Sequence, residues 1–397
     1  MLEHDDHRAA GPRLGLFHLQ DEAPGMVFWH PRGLGLLRAL ADAARRRTAA
    51  EGYHEVRTPQ LLRQSLWEAS GHWQHFREHM FVVRDDDVCA ALKPVSCPCH
   101  IQIAARRSLS YRDLPLRLCE FGVCHRDEPG GTLHGLFRLR QFTQDDGHIF
   151  CAEDQIAGEV QQFCRGIAAF YAALGFPDFG VAFSTRPAQR AGDDALWDRA
   201  ESVLAAAAAD AGLHPRLQPG EGAFYGPKLE FSVRDRLGRA WQAGTIQLDL
   251  VLPRRFDLQY VDRDGQRRHP AMLHRALYGS IERFIALLLE QGGGVLPAWL
   301  APIQVRVAPI AAAQLGSAEQ ALADLRAAGL RAELAGPEET LARRVAEAHA
   351  DGVPCLALVG AREAAAGTLT LRERGEQRVL PRDEAIAALR ERCAPPV

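Results

Sequence analysis

Apolar and polar residues follow two different periods along this 397-residue chain. Residues 31–51 carry leucines at three-residue steps, which predicts a helix. Residues 114–126 and 136–148 alternate like strands on either side of PGGTLHG, which predicts an antiparallel hairpin with a long loop. The pattern also predicts strands at 179–184, 228–234, 240–251 and 256–261, and helices at 155–174 and 274–291.

After the glycine run 292–294, strands and helices alternate at short spacing, which predicts a small α/β unit. Its elements are predicted as strands 303–310, 330–335 and 353–360, helices 316–328, 338–350 and 382–392, and a hairpin over 368–380. Residues 1–20 are charged and aperiodic, as in a leader. We therefore expect a leader over 1–20, a large domain over 21–299 and a small domain over 300–397.

Composition excludes some classes of protein. The formal net charge of −3 gives no global sign of nucleic-acid binding, so any basic surface has to be local. The nine cysteines have irregular spacings, and neither a signal peptide nor a long apolar run is recognisable. These features predict a reduced, cytoplasmic protein with no membrane partner.

Lysine is nearly absent, because Lys93 and Lys228 are the only two in the chain. Arginine and lysine differ in shape and hydration, so the two that survive are expected where a compact ammonium is needed. The alternative is survival by chance.

The predicted hairpin concentrates arginines. Arg126, Arg138 and Arg140 are expected on one sheet face, and their guanidinium groups match phosphate oxygens. Phe142 on the same face offers a ring for a base to stack on, so the hairpin predicts a nucleotide site. The alternative is a solvated strand face whose arginines pair with neighbouring carboxylates such as Glu128.

Cys97, His148 and His274 lie in segments bounded by polar turn residues, as a zinc site built from distant strands requires. Three protein ligands would leave one position open for a substrate. Spacing alone does not select them, because equally plausible ligand types occur at Cys99, His100, Cys124 and His125.

Several segments together resemble the class II core of the threonyl-tRNA synthetase family over residues 4–300. These segments are LKPVSCPCH, FGVCHRDEPGGTLHGLFRLRQFTQDDGHIF, EGAFYGPKLEF, WQAGTIQLDL and LHRALYGSIERF. The C-terminal unit resembles that family's anticodon-binding domain. The resemblance implies an α+β fold, with a mostly antiparallel catalytic sheet followed by the small α/β domain.

The resemblance implies roles in ATP binding. Arg126 matches the arginine on the α-phosphate, and Arg138 matches one on the distal phosphates. Phe142 matches the ring that stacks on adenine, Glu128 a contact to the base edge, and Arg283 the motif 3 arginine. Mg²⁺ is implied together with ATP.

The resemblance also implies a zinc ion on Cys97, His148 and His274 that holds the amino group and hydroxyl of threonine. Asp146 matches a carboxylate that supports this recognition. Other positions around the amino acid and the adenylate are matched by Gln144, Tyr225, Lys228, Gln242, Ala243 and Gln247, of which Lys228 is also expected to be catalytic.

Four more positions match the family. His72 matches the histidine that moves a proton during transfer to tRNA, the alternative being a histidine packed beside Trp73. Pro59 matches a proline at a homodimer interface. Glu363 and Arg372 match residues that read the anticodon of tRNA(Thr).

The chain also departs from the family. The core begins almost at Met1, so we expect no editing domain in cis, detectable charging of serine, and correction by a separate editing factor. The family usually has MNCPGH and WQCGT, so Val95, Ser96, Cys99 and Ala243 change the pocket lining. Residues 302–397 carry 12 Arg against 13 Asp plus Glu, which weakens the expected tRNA contacts.

The leading hypothesis is therefore a short, class II threonine-tRNA ligase that acts on ATP, L-threonine and tRNA(Thr). The alternatives are an inhibitor-resistant second copy, a paralog that loads a carrier protein or a metabolite, and a non-catalytic binding paralog.

Overall fold

The computed structural model describes residues 6–235, 238–373 and 375–395. The chain forms two compact units. The larger unit contains Leu19–Met26 and Ala44–Leu287, and the smaller unit contains the segment that ends at His18, Val27–Ala43 and the residues from Leu288 onward. None of the helices in the described residues is long and apolar enough to cross a membrane.

The α-helices are α1 (His7–Arg13), α2 (Pro31–Ala50), α3 (Gln64–Ser70), α4 (His72–His75), α5 (Cys97–Ala104), α6 (Ile156–Ala173), α7 (Asp194–Asp210), α8 (Leu252–Arg255), α9 (Ile281–Gln291), α10 (Leu315–Ala327), α11 (Leu341–Ala350), α12 (Ala361–Ala366) and α13 (Arg382–Arg392).

The strands are β1 (Phe17–His18), β2 (Phe28–Trp29), β3 (His54–Glu55), β4 (Leu61–Arg63), β5 (Val82–Asp85), β6 (Val88–Leu92), β7 (Leu109–Ser110), β8 (Leu116–His125), β9 (Gln141–Cys151), β10 (Phe179–Ser184), β11 (Arg216–Gln218), β12 (Lys228–Arg234), β13 (Ala240–Asp249), β14 (Tyr260–Val261), β15 (Arg267–Arg268), β16 (Ala271–Ala276), β17 (Val305–Pro309), β18 (Ala332–Leu334), β19 (Cys355–Val359), β20 (Thr368–Glu373) and β21 (Glu376–Pro381).

An eight-stranded sheet organises the larger unit, in the order β11-β10-β12-β13-β16-β9-β8-β3. Its inner neighbours are antiparallel, and only the outermost pairs, β10 with β11 and β3 with β8, are parallel. The expected α+β fold with a mostly antiparallel sheet is confirmed.

The smaller unit is built on a five-stranded sheet in the order β18-β17-β19-β20-β21. One core, which includes Val307, Leu325 and Leu371, lies on one face of this sheet, and a second core with Leu356 and Ala348 lies on the other. The predicted strands and helices of the C-terminal unit all form, and α12 is an additional helix.

The predicted hairpin is real, but its second strand begins later than expected. β9 starts at Gln141, so Arg138 and Arg140 precede it and do not share a sheet face with Phe142. The chain turns at Gly135, which has a φ of 51°, and the Arg140 amide donates to the carbonyl of Gly25. The carbonyl of Arg140 still accepts from the Arg126 amide, so backbone pairing of the hairpin ends at Arg140 and Arg138 belongs to the loop.

The predicted helix over 274–291 is also wrong in its first part. Residues Ala271–Ala276 form β16, and the helix begins at Ile281. Every residue of β16 is buried, so the strand lacks the alternation that marks a half-exposed strand. Gly279, with a φ of 70°, separates the strand from the helix.

The expected leader is wrong for residues 7–18, which form α1 and β1. Asp6 caps α1 by accepting from the amide of Arg8, and His7 lies 2.7 Å from the carboxylate of Glu290. Ala10, Leu14, Leu16 and Phe17 are buried. Residues 1–5 of that leader lie outside the described residues.

Candidate active site

One row of side chains crosses the large sheet on a single face. The register pairs His148 of β9 with His274 of β16, His274 with Gln247 of β13, and Gln247 with Lys228 of β12. Paired residues in a sheet point to the same side. Four sequence segments that lie far apart therefore meet in one line.

Cys97 joins this row from above the sheet, at the first residue of α5. The ligand atoms of Cys97, His148 and His274 all lie within 4.8 Å of one another, and all three residues are buried. These are the three residues predicted to bind a metal, so the structure brings the predicted set together. The second group of possible ligands, Asp6, His7 and Glu290, lies in the smaller unit.

The geometry of this cluster fits a zinc ion. Nε2 of His148 and Nδ1 of His274 are 3.1 Å apart, close to the separation that two Zn–N bonds of about 2.0–2.1 Å require in a tetrahedron. The other ring nitrogen of His274, Nε2, lies 2.9 Å from Oδ2 of Asp249, a buried carboxylate. A carboxylate behind a histidine is the usual support of a zinc ligand.

The protein alone does not stabilise charge on these ligands. Burial raises the pKa of the Cys97 thiol well above its ordinary value, and the carboxylates of Asp146 and Asp249 add to the effect. Burial also lowers the pKa of His148 well below its ordinary value. A divalent cation would reverse this preference at the thiol, because it favours the thiolate.

A small cavity of ≈ 80 Å³ opens on the cluster. Its walls include Val95, Cys97, Arg126, Gln144, Asp146, His148, Tyr225, Thr245, Gln247 and His274. Oδ1 of Asp146 lies 3.6 Å from Nε2 of His148, and the Tyr225 hydroxyl donates to Oε1 of Gln247 at 2.8 Å. The cavity is far smaller than typical ligand pockets, so it suits a short polar side chain.

A larger cleft of ≈ 420 Å³ adjoins this cavity and shares Arg126, Gln144, Thr245 and Gln247 with it. The cleft is also lined by Glu128, Arg138, Phe142, Lys228, Gln242, Ala243 and Arg283. All five predicted ATP residues therefore line one cleft, although Arg138 reaches it from the loop and not from a strand.

The cleft concentrates positive charge. Burial lowers the pKa of the Arg283 guanidinium, and the charges of Arg126 and Arg138 lower it further. The Arg126 guanidinium lies 5.0 Å from the centre of the Phe142 ring. Three cations that repel one another at a half-buried site favour an anion such as a polyphosphate.

His72 is buried beside the metal cluster. It is 2% exposed, and Nε2 faces Sγ of Cys97 at 3.9 Å. Its ring packs edge-on against Phe224, with centroids 5.0 Å apart, and burial lowers its pKa to about 3. Its ring neighbours are Phe224 and Trp67, where the packing alternative named Trp73, and the proton role of His72 stays a prediction.

The two predicted anticodon residues lie in the smaller unit. Glu363 caps α12 by accepting from the amide of Gly360, and it also accepts from the Thr370 hydroxyl at 2.8 Å, which lowers its pKa. Arg372 on β20 is exposed and lines a cavity of ≈ 460 Å³ together with His349 and apolar side chains.

Sequence reasoning missed two groups. Thr245 precedes Gln247 by two residues on β13 and Asp249 follows it by two, so alternation could have indicated them. Behind His148, the buried residues Lys93 and His100 both contact Glu120, and His100 contacts His148. The rarity of lysine was the available signal for Lys93.

Comparison with known proteins agrees with this arrangement. Residues 81–292 match the family model described as tRNA synthetase class II core domain (G, H, P, S and T). Residues 304–392 match the model described as anticodon binding domain. Together with the sheet and the cleft, these matches define a class II tRNA synthetase core followed by an anticodon-binding domain.

The chain is 51% identical, over 99% of its length, to the threonine--tRNA ligase of Gluconacetobacter diazotrophicus, and it spans 62% of that relative's length. It shares 37% identity and a TM-score of 0.96 with the RNA binding domain of threonyl-tRNA synthetase from Cryptosporidium parvum, with 99% of both chains covered. A prolyl-tRNA synthetase from Giardia lamblia, 20% identical with a TM-score of 0.74 over 96% of this chain and 74% of that one, shares the fold.

The chain belongs to the threonyl-tRNA synthetase family, as its motifs indicated. The match to an anticodon-binding domain does not favour the alternative of a carrier protein or a metabolite as acceptor. The chain spans about 62% of the length of the curated relatives it matches.

Proposed function

We propose that this chain activates L-threonine with ATP and transfers the threonyl group to tRNA(Thr). The observation that carries the proposal is the junction of two sites. The cluster of Cys97, His148 and His274 opens through the shared wall onto the arginine-lined cleft. An amino acid at the first site would hold its carboxylate towards a nucleotide at the second.

Zinc is the metal that suits the donor set of one thiol and two imidazoles. When bound, it would act as a Lewis acid that holds the amine and hydroxyl of the substrate. Asp146 lies beside His148 and would accept a proton or a hydrogen bond from that substrate. Tyr225 and Gln247 support each other on the wall of the same cavity.

Arginines would stabilise the reaction of threonine with ATP. The carboxylate of threonine attacks the α-phosphate, and negative charge develops there as pyrophosphate leaves. Arg126, which lines both sites, and Arg283 would stabilise this charge together with Mg²⁺. Phe142 would stack on the adenine, and Lys228, which pairs with Glu230 at 2.8 Å, lies on the strand opposite Gln247.

We assign the catalytic role to residues 21–299 and anticodon binding to residues 300–397, where Glu363 and Arg372 would contact the tRNA. We further propose a homodimer, with Pro59 at its interface. All nine cysteines are free thiols, which suits a reducing compartment such as the cytoplasm.

Exchange of labelled pyrophosphate into ATP, followed by charging of purified tRNA(Thr), tests the proposal. Threonine should drive exchange, and valine should be rejected on the order of 10⁴-fold because it lacks the hydroxyl. Loss of exchange on zinc removal and its return on zinc addition are expected. Absence of threonine-dependent exchange in the zinc-loaded protein contradicts the proposal.

A further inference from the structure

A chain of buried hydrogen bonds leads away from His148 on the side opposite the metal cluster. Nδ1 of His148 lies 2.7 Å from Nδ1 of His100, and Nε2 of His100 lies 3.3 Å from Oε2 of Glu120. Nζ of Lys93 lies 3.0 Å from Oε1 of Glu120. All four residues are at most 2% exposed, so water does not replace these contacts.

Once a metal occupies Nε2 of His148, the order of these contacts fixes where each proton lies. A neutral His148 that offers Nε2 to a metal carries its proton on Nδ1, and this proton is donated to Nδ1 of His100. His100 must then carry its own proton on Nε2, where the carboxylate of Glu120 accepts it. With Nε2 of His148 bound to a metal, any other placement of these protons leaves two protons or two lone pairs facing each other.

The far end of the chain holds Glu120 as an anion. Its two oxygens accept from the Thr58 amide at 2.9 Å and the Thr58 hydroxyl at 2.8 Å, and Lys93 supplies the balancing charge. Gly122 makes room for this pair, because a Cβ there would lie 2.8 Å from Oγ of Ser96 and 3.4 Å from Nζ of Lys93.

The sequence places these groups together for simple reasons. Cys97 and His100 are one turn apart on α5, so they lie on the same face of that helix. Glu120 of β8 is paired with Asp146 of β9. Asp146 and His148 are two residues apart on β9, so Glu120, Asp146 and His148 lie on the same face of the sheet. The helix α5 thus supplies both a ligand and a supporting residue, and the paired strands β8 and β9 supply the support Glu120 and the ligand His148.

We propose that Lys93, Glu120 and His100 are positioning residues that hold His148 in the tautomer a metal requires, an inference that rests on the proposed function. A carboxylate commonly contacts a metal-bound histidine directly. Here the ring of His100 lies between His148 and the carboxylate of Glu120. Lys93, one of only two lysines, serves as a compact buried cation at the end of this chain.

The test compares two double variants of the full chain, Lys93→Met/Glu120→Met and Lys93→Met/Glu120→Gln. Both remove the buried charge pair together, so neither leaves an unpaired charge in the core. Only the glutamine variant restores an oxygen that accepts from His100. The readouts are zinc transfer to a chromophoric chelator and the absorption spectrum of the cobalt-substituted protein.

We expect the methionine pair to weaken zinc binding by about 10–100-fold and the glutamine pair to recover part of that loss. The matched control is Arg117→Met/Glu159→Met, which removes the partly buried ion pair between β8 and α6 and should leave zinc transfer unchanged. Thermal midpoints of all variants check that they fold.

Two results overturn different claims. If the wild-type chain holds zinc and the methionine pair holds it equally tightly, the positioning role of Lys93, Glu120 and His100 is wrong while the proposed function stands. If the wild-type chain binds no zinc, the proposed function itself fails.

Discussion

Oδ2 of Asp249 lies 2.9 Å from Nε2 of His274, and this contact decides which nitrogen of His274 faces the metal cluster. With Nε2 engaged by a buried carboxylate, Nδ1 is the atom that faces Nε2 of His148. Asp249, which is not one of the three proposed ligands, therefore sets the orientation of the His274 ring.

Replacing Cys97 should remove the metal. We expect Cys97→Ser to lose the bound zinc on dialysis, because a neutral hydroxyl replaces the thiolate that a zinc site requires. Metal analysis of the purified chain measures this. Cys99→Ser is the matched control, since Cys99 is a buried thiol on the same helix outside the cluster, and it should retain zinc. Equal zinc contents in the two variants would exclude Cys97 as a ligand.

Replacing Arg126 should slow activation of the amino acid. Arg126→Lys keeps the charge but loses the planar fork that fits a phosphate, and loss of one such donor typically lowers kcat by about 10²–10³-fold. Pyrophosphate exchange at saturating threonine measures the effect. The control is Arg117→Lys. Arg117 lies near the start of β8 and pairs with Glu159, and a lysine there keeps the charge of that pair, so this variant should catalyse exchange at the wild-type rate. A wild-type rate for Arg126→Lys would refute the phosphate contact.

Acid should destabilise the protein through Glu120. Burial alone would raise the pKa of Glu120, but hydrogen bonds from His100 and Thr58 and the charge of Lys93 hold it at about 2, below its ordinary 4.5. Since the folded pKa is the lower one, the stabilisation is present above about pH 4.5 and is lost as the pH falls towards 2. Its full size is about 3 kcal/mol.

Urea unfolding of the full chain, measured at pH 5 and at pH 3, gives the size of this loss of stability. In Lys93→Met/Glu120→Met no carboxylate remains at position 120, so its stability should fall less steeply between these two values. A pH dependence as steep as that of the wild type would show that Glu120 is not the group responsible.

Replacing Arg372 should affect the tRNA and not the amino acid. Loss of a base contact costs about 1–3 kcal/mol, so Arg372→Ala should raise KM for tRNA(Thr) in charging while pyrophosphate exchange is unchanged. The control is Arg378→Ala on β21, an exposed arginine that lies 3.7 Å from the carboxylate of Glu373. If both variants charge tRNA like the wild type, Arg372 does not read it.

The local pattern of apolar and polar residues predicted an element correctly where that element has one buried face or clear ends. Strands 179–184 and 228–234 and helix 382–392 end at the residues predicted from the sequence. β16 was mistaken for a helix because it is buried on both faces, and a short apolar run does not distinguish the two. Alternation continued through Arg138 and Arg140, although the turn at Gly135 takes them out of the sheet.

The three proposed metal ligands could be predicted from the sequence, but the residues that hydrogen-bond to the two histidines among them could not. The motifs around Cys97, His148 and His274 identified the cluster through family resemblance. The contacts of His100 with Glu120, and of Asp249 with His274, join residues 20 and 25 positions apart across different elements. No local period encodes such contacts, because they depend on the register of neighbouring strands.

The most direct test of the central claim is the visible absorption of the cobalt-substituted protein on addition of amino acids. We expect threonine to change the cobalt spectrum and valine at the same concentration to leave it unchanged, because only threonine has the hydroxyl that the metal cluster is proposed to bind. A cobalt-loaded chain whose spectrum ignores threonine, or responds equally to valine, would contradict the account.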